Sequence, residues 1–330
     1  MLLKYWPATT NLKFMSLRIG GALLSVLMIT ASIYFLATRG LNLGVDFAGG
    51  TVMELQQTDT VTVESVRAAM PFPAEVNSAV GTDARSIVVV KFGAADPSKL
   101  GDEFASLAPA AQAERAQQVT NDIVAETLKD KLGLTDEDFL RDDSVGPKVS
   151  GELFRSGIMA LVAALVLMLA YIWFRFEWQF SIGAVAALAH DVIITLGVFA
   201  LLQLEFNLTT IAALLTIIGY SMNDTVVVFD RVREERRKYK KMADRQVIDQ
   251  SLNLTLSRTL LTSGTTLLAL FAIFFLGGPV LRGMSFALIW GIFIGTYSSI
   301  FIASAIVLSL GMDLNKKPAE DVQGFQGVSR

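Results

Sequence analysis

Five polar residues stand in or beside otherwise apolar runs: His190 and Asp191 in one, Asn223 and Asp224 in a second, and Arg258 at the head of a third. A charge at the centre of a membrane helix costs about 2.5–3.5 kcal/mol on insertion scales, so such a residue faces a partner or a wet cavity. Buried acids of this kind relay protons or ions. The plainer use of the same residues is polar glue between helices. Asp224 is the leading ion-coupling candidate, with Asn223 beside it. Five residues, about one and a half turns, separate Asp224 from the charged end of its run at Phe229, within reach of a narrow water path from that side. If the second and third runs form antiparallel neighbouring helices, Arg258 comes alongside Asp224, and protonating the acid would release the guanidinium. His190 and Asp191 point about 100° apart on a helix. Only one is therefore expected to face a shared site, with Asp191 as a relay residue and His190 as hydrogen-bonded packing.

These residues need long apolar helices to carry them, and the composition supplies them. Of the 330 residues, 52% are hydrophobic and 18% charged, against about 25% charged in soluble domains. Six stretches approach or exceed the length of a membrane span: Ile19–Ala37, Gly157–Phe174, Phe180–Leu202, Leu208–Phe229, Leu260–Leu276 and Met284–Leu310. Gly277-Gly278-Pro279 stops the fifth. The first is too apolar and long for a signal peptide and is expected to stay as an anchor. The absence of cysteine excludes disulfides and thiolate chemistry, and a single histidine excludes a multi-histidine metal site. No metal or cofactor is expected; the coupling ion would be a proton or Na+.

Nine basic residues between Asp230 and Arg258 place that segment on the cytoplasmic side. Counting spans then puts both chain ends inside, each locally basic. It also puts the segment from about residue 40 to 150 outside, where 18 acidic residues face 9 basic ones. The basic run could attract nucleic acid, but membrane orientation explains it, and no nucleic-acid partner is expected.

The external segment has strand patterns at Thr51–Gln57, Glu75–Val80, Ser86–Phe92 and Phe139–Val145, with helices at Val63–Met70 and Pro109–Leu132. The order β-α-β-β-α-β predicts a small ferredoxin-like α+β domain between the first and second spans. The fold class is thus a polytopic α-helical membrane protein of six spans with that domain outside. The expected division is residues 1–38 (cytoplasmic segment and first span), 39–150 (external domain), 151–311 (five-span bundle with a basic loop at 230–258) and 312–330 (cytoplasmic tail). Gly219, Gly264, Gly291 and Gly295 are candidates for close helix approach.

Four motifs together carry a resemblance. LNLGVDFAGGT follows the first span and contains Asp46, Gly49 and Gly50, whereas no GK[ST] follows those glycines, as a phosphate loop would need. SVGPKVSGEL, with Gly146 and Pro147, precedes the second span. YSMNDTVVVFDRVRE closes the fourth, and SRTLLTSGTTLLALFAIFFLGG forms the fifth. This set resembles the SecD/SecF family of protein-export membrane proteins on its SecF side, across nearly the whole chain. The resemblance implies half of a resistance-nodulation-division architecture and pairing with SecD beside the SecYEG translocon, with YajC- and YidC-type accessory proteins. It further implies use of the proton or sodium motive force, at a bacterial inner membrane, to draw a preprotein outward, with no covalent chemistry. The membrane-embedded aspartate of the family falls on Asp224 and its coupled arginine on Arg258.

Three other readings compete. An intramembrane aspartyl protease would use Asp191 and Asp224 as a dyad and would need the two carboxyl groups in contact. A half-size exporter of the same superfamily would lack the second half and second large external domain. A passive subunit would merely stabilise a partner, and substitution of Asp224 would leave export intact.

Overall fold

The computed structural model describes residues 10–80, 85–96 and 108–312. The tail from 313, with Lys316 and Lys317, and the first nine residues lie outside the described residues.

Among the described residues, six helices or helix pairs are long and apolar enough to span a membrane. They are α1 (Arg18–Thr38), which precedes the external domain, and α5 (Pro147–Arg175), α6 (Trp178–Leu202), α7 (Leu208–Lys238), α8 (Asp244–Leu276) and the α9–α10 unit, which follow it. The last unit is α9 (Gly278–Ser298) and α10 (Ser304–Leu310), joined through a π-helical turn at Ser299–Ala303. Helices α6 and α7 and the α9–α10 unit are about half buried by protein, whereas α1, α5 and α8 turn most of their apolar surface outward. The first three form the centre of the bundle.

Several helices run past the expected span boundaries, α5 starting at Pro147 rather than Gly157 and α9 at Gly278 rather than Met284. The basic segment is mostly helix: α7 continues past Phe229 to Lys238, α8 begins at Asp244, and a five-residue turn joins them. Arg231 pairs with Glu234 at 2.6 Å and Glu235 at 3.0 Å, one turn along. Such pairs keep a charged helix wound beyond the apolar span. Cross-links between Arg233 and Glu177 (3.2 Å) and between Arg236 and Asp244 (3.1 Å) bind neighbouring helix ends together.

Between α1 and α5 stand β1 (Asn42–Leu43), α2 (Val45–Ala48), β2 (Gly50–Gln56), α3 (Val63–Ala69), β3 (Glu75–Val80), β4 (Ser86–Phe92), α4 (Pro109–Leu132) and β5 (Phe139–Val145). The four long strands form an antiparallel sheet in the order β3-β4-β2-β5. With the two helices on one face this is the expected ferredoxin-like arrangement. Alternate residues Met53 and Leu55 on β2 and Val88 and Val90 on β4 point under the helices and meet Val66, Val124 and Leu128 in a separate core.

Of the glycines expected to allow close approach, Gly291 and Gly295 do so: an added Cβ would lie 2.4 Å from Ile217 and 3.1 Å from Ser221 on α7. Gly219 and Gly264 meet nothing within 4 Å. They face outward, because helical spacing alone does not say which stripe meets a neighbour. The tightest approach is at Gly197, where a Cβ would fall 2.1 Å from Ser32 on α1.

Candidate functional site

Asp224 is buried on α7, and two hydroxyls hold its carboxylate. Thr259 Oγ1 of α8 donates to Oδ1 at 2.5 Å, and Ser299 Oγ of the π-helical turn donates to Oδ2 at 2.8 Å. Asp191 is buried on α6 and receives Ser221 Oγ (2.6 Å) from α7 and Ser298 Oγ (2.8 Å) from α9 on its Oδ2. Its Oδ1 meets His190 Nδ1 at 2.9 Å. The two acids thus sit in one layer of hydroxyl groups inside an apolar bundle. Ionised carboxylates in such a place are held by donors from neighbouring helices, since a buried acceptor left without one is costly.

Several expectations are corrected. Although neighbouring side chains leave a helix about 100° apart, the His190 ring folds back onto Asp191, so both belong to one constellation. The opposite imidazole nitrogen, Nε2, lies 3.1 Å from Ser25 Oγ of α1. Arg258 is exposed and lies close enough for its charge to act on Asp224, as the adjacency predicts, but no direct ion pair forms among the described residues; its chain neighbour Thr259 hydrogen-bonds the carboxylate. The α7–α8 adjacency is as expected, but the face of α8 that turns inward is the one carrying Thr259. Asn223 is exposed and points away from Asp224. It is not gathered into the site, again because adjacent helix positions diverge. Toward the charged end of α7 the rings of Phe176, Phe180 and Phe229 pack together, with centroids 5.0–6.2 Å apart. Neither carboxylate hydrogen-bonds the other among the described residues; each has its own donors, which is not the geometry of a proteolytic dyad.

Sequence reasoning missed Ser25, Ser221, Thr259, Tyr297, Ser298 and Ser299. Their signal was present: hydroxyl side chains inside apolar runs, with three in succession at 297–299. A π-helical turn adds a residue to one helical loop and often accompanies function. Here it follows directly on Ser298, and the three consecutive hydroxyls serve α1, α6 and α7.

The glycine motif after the first span has a different task. Gly49 and Gly50 adopt φ of +74° and +127°, and a Cβ on Gly50 would lie 2.6 Å from the Phe92 carbonyl oxygen. They let the chain leave α2 and enter β2 against β4. Asp46 Oδ2 accepts from Leu208 N–H at 2.9 Å and so caps α7, the helix of Asp224. Gly44 N–H bonds the Phe206 carbonyl at 2.9 Å, and β1 pairs in parallel with β6 (Glu205–Phe206), in the connection between α6 and α7. Lys91 of β4 forms an ion pair with Glu205. Gly146 precedes α5 in extended conformation and Pro147 takes its first turn, where a missing N–H does no harm. The motif residues therefore fasten the external domain to the hairpin that carries both acids.

Known proteins share this arrangement. Residues 124–313 match the C-terminal family of protein-export membrane proteins SecD/SecF, and residues 34–57 match the SecD/SecF GG motif. Protein translocase subunit SecF of Cereibacter sphaeroides is 44% identical over 326 residues, covering 98% of this chain and 97% of that one. The subunit of the same name from Escherichia coli O157:H7 is 40% identical, over 88% of this chain and 84% of that one. The crystal structure of SecDF, a translocon-associated membrane protein from Thermus thermophilus, superposes with a TM-score of 0.74 at 35% identity. That match covers 92% of this chain but 39% of the SecDF chain, so the present chain spans about two fifths of that protein's length.

Proposed function

The chain belongs to the SecD/SecF family of protein-export membrane proteins, and from that premise we propose that it is a SecF subunit that turns an ion gradient into movement of its external domain. It works with SecD beside the SecYEG channel and its YajC- and YidC-type accessories, in a bacterial inner membrane with both chain ends in the cytoplasm. The coupling ion is a proton, or Na+ in the alternative, and the preprotein is drawn outward. No bond in the substrate is made or broken.

The observation that carries this reading is Asp224, a buried acid whose two oxygens are tied by hydroxyls to two different elements, α8 and the π-helical turn. Neutralising the carboxylate weakens both ties together, because hydrogen bonds to a charged acceptor are about twice as strong as those to a neutral one. One elementary charge crossing 100 mV releases about 2.3 kcal/mol, a bias of roughly fiftyfold between two arrangements. The exposed Arg258, whose charge already acts on Asp224 without a direct ion pair, swings onto the carboxylate in another arrangement of the cycle. Movement at the α6–α7 hairpin reaches the external domain through the β1–β6 pairing, the Asp46 cap and the Lys91–Glu205 pair.

The test is preprotein export into membrane vesicles containing the chain and its SecD partner, with and without an uncoupler. Asp224→Asn is expected to abolish the gradient-dependent part while the complex still co-purifies. Full gradient response in that variant would end the proposal and leave a passive subunit.

A further inference from the structure

His190 enters the ion-coupled reading as a mere neighbour of Asp191, yet the hydrogen-bond chain that passes through it does not balance. Four consecutive contacts run from α1 to α6: the Gly21 carbonyl to Tyr297 OH (2.6 Å), Tyr297 OH to Ser25 Oγ (3.0 Å), Ser25 Oγ to His190 Nε2 (3.1 Å), and His190 Nδ1 to Asp191 Oδ1 (2.9 Å). Each contact needs one hydrogen. A tyrosine, a serine and a neutral imidazole supply three, and a carboxylate supplies none. The remaining oxygen, Oδ2, is already filled by Ser221 and Ser298, which bring their own hydrogens, the Ser298 hydroxyl lying nearer Oδ2 (2.8 Å) than the Gly295 carbonyl oxygen (3.1 Å).

We propose that His190 and Asp191 form a second proton-holding site, which carries one proton beyond neutral imidazole and carboxylate in this conformation and gives it up during the working cycle. The fourth hydrogen sits between Nδ1 and Oδ1, as an imidazolium facing a carboxylate or an imidazole facing a carboxylic acid. When it leaves, the one remaining imidazole hydrogen stays with the carboxylate, the stronger acceptor. Ser25 must then donate to Nε2, and its contact with Tyr297 has no hydrogen left. Proton loss therefore loosens α1 from α9. Helix α1 leads directly into the glycine motif and the external domain, so the second site speaks to the part that moves, while Asp224 speaks to α8.

The groups facing the pair are few. Helix α1 contributes Ser25; α9 contributes Tyr297, whose ring stacks on His190 at 6.0 Å, and Ser298; α7 contributes Ser221. The nearest other acid in the network is Asp224, bonded to Ser299 beside Ser298. Among the described hydrogen bonds, α5 and α10 bring no polar group to the pair.

This inference rests on the ion-coupled reading, and the experiment separates the two. Gradient-driven export by the complex of full chain and SecD partner is measured in vesicles across about pH 5 to pH 8, for the unaltered chain, His190→Gln, Ser25→Ala and Asp224→Asn. His190→Gln is expected to lose the pH dependence and at least tenfold of the gradient response. Ser25→Ala removes two of the four contacts and one of the three hydrogens, so the two hydrogens left match the two contacts left without an extra proton, and its pH profile is expected to move toward acid with assembly intact. If His190→Gln fails to co-purify with the partner, the Ser25→Ala profile decides. Unmoved profiles in the assembled variants, with Asp224→Asn inactive, overturn the second site alone. An Asp224→Asn variant that still answers the gradient overturns the coupled reading itself.

Discussion

Ser298 and Ser299, adjacent in the chain, hand their hydroxyls to different acids: Ser298 to Asp191 at 2.8 Å and Ser299 to Asp224 at 2.8 Å. One helix end thereby registers the charge of two neighbouring helices. The π-helical turn begins at Ser299, directly after Ser298, and single turns of this kind are frequent at functional sites.

Removing the hydroxyls one at a time probes that arrangement. Thr259→Val keeps the shape of the side chain and removes the 2.5 Å donor to Asp224. A hydrogen bond to a charged group contributes about 1.5–3 kcal/mol, so the gradient-dependent export rate is expected to fall by about tenfold or more. Export measured in vesicles with matched complex content checks this, and Thr262→Val, an exposed position one turn on, serves as the control.

The glycine motif makes a stability prediction. Gly50→Ala places a Cβ 2.6 Å from the Phe92 carbonyl oxygen at a φ of +127°. Strain of this kind costs of order 1–3 kcal/mol, and β2 should separate from β4 at lower temperature. Gly264→Ala meets nothing within 4 Å in a helix interior and should be neutral or slightly stabilising. Thermal unfolding of the detergent-solubilised full chain distinguishes the two.

Lys91 and Glu205 join the external sheet to the α6–α7 connection, with about 27% and 31% of their side chains exposed. Partly exposed pairs contribute at most about 1 kcal/mol. Lys91→Glu and Glu205→Lys are each expected to speed protease cleavage near the junction of domain and bundle. The double reversal should recover most of the protection; if it behaves as the sum of the two single variants, the pair is not a latch.

Asp142 on β5 supplies a pH effect. Although the residue remains exposed, loss of part of its hydration and then the neighbouring charge of Asp143 push its carboxyl above the ordinary range. A folded-state value above the unfolded one means that its contribution to stability is present in full below the unfolded value and is lost as pH rises through the folded value. Asp142→Asn should therefore stabilise the full chain at neutral pH and leave it unchanged in acid. Denaturation midpoints at two pH values test the sign.

The chain by itself determined the six spans, the external βαββαβ order and the identity of the two buried acids. Apolar run length, strand alternation and the cost of a charge in hydrocarbon are properties of short segments, and they survive without knowledge of neighbours. Asp224 was legible because nothing local excuses an acid in that place. What the tertiary structure decided is which neighbour answers each acid. Arg258 and Thr259 are adjacent residues of α8, and a rotation of about 100° about its axis determines that the hydroxyl, not the guanidinium, makes the direct bond to Asp224. The same rotation turned Asn223 outward, whereas the His190 ring reaches Asp191 in spite of it by folding back along the helix. The hydroxyls of residues 297–299 became part of the site because α9 packs between α6 and α7, and only packing in three dimensions selects that face.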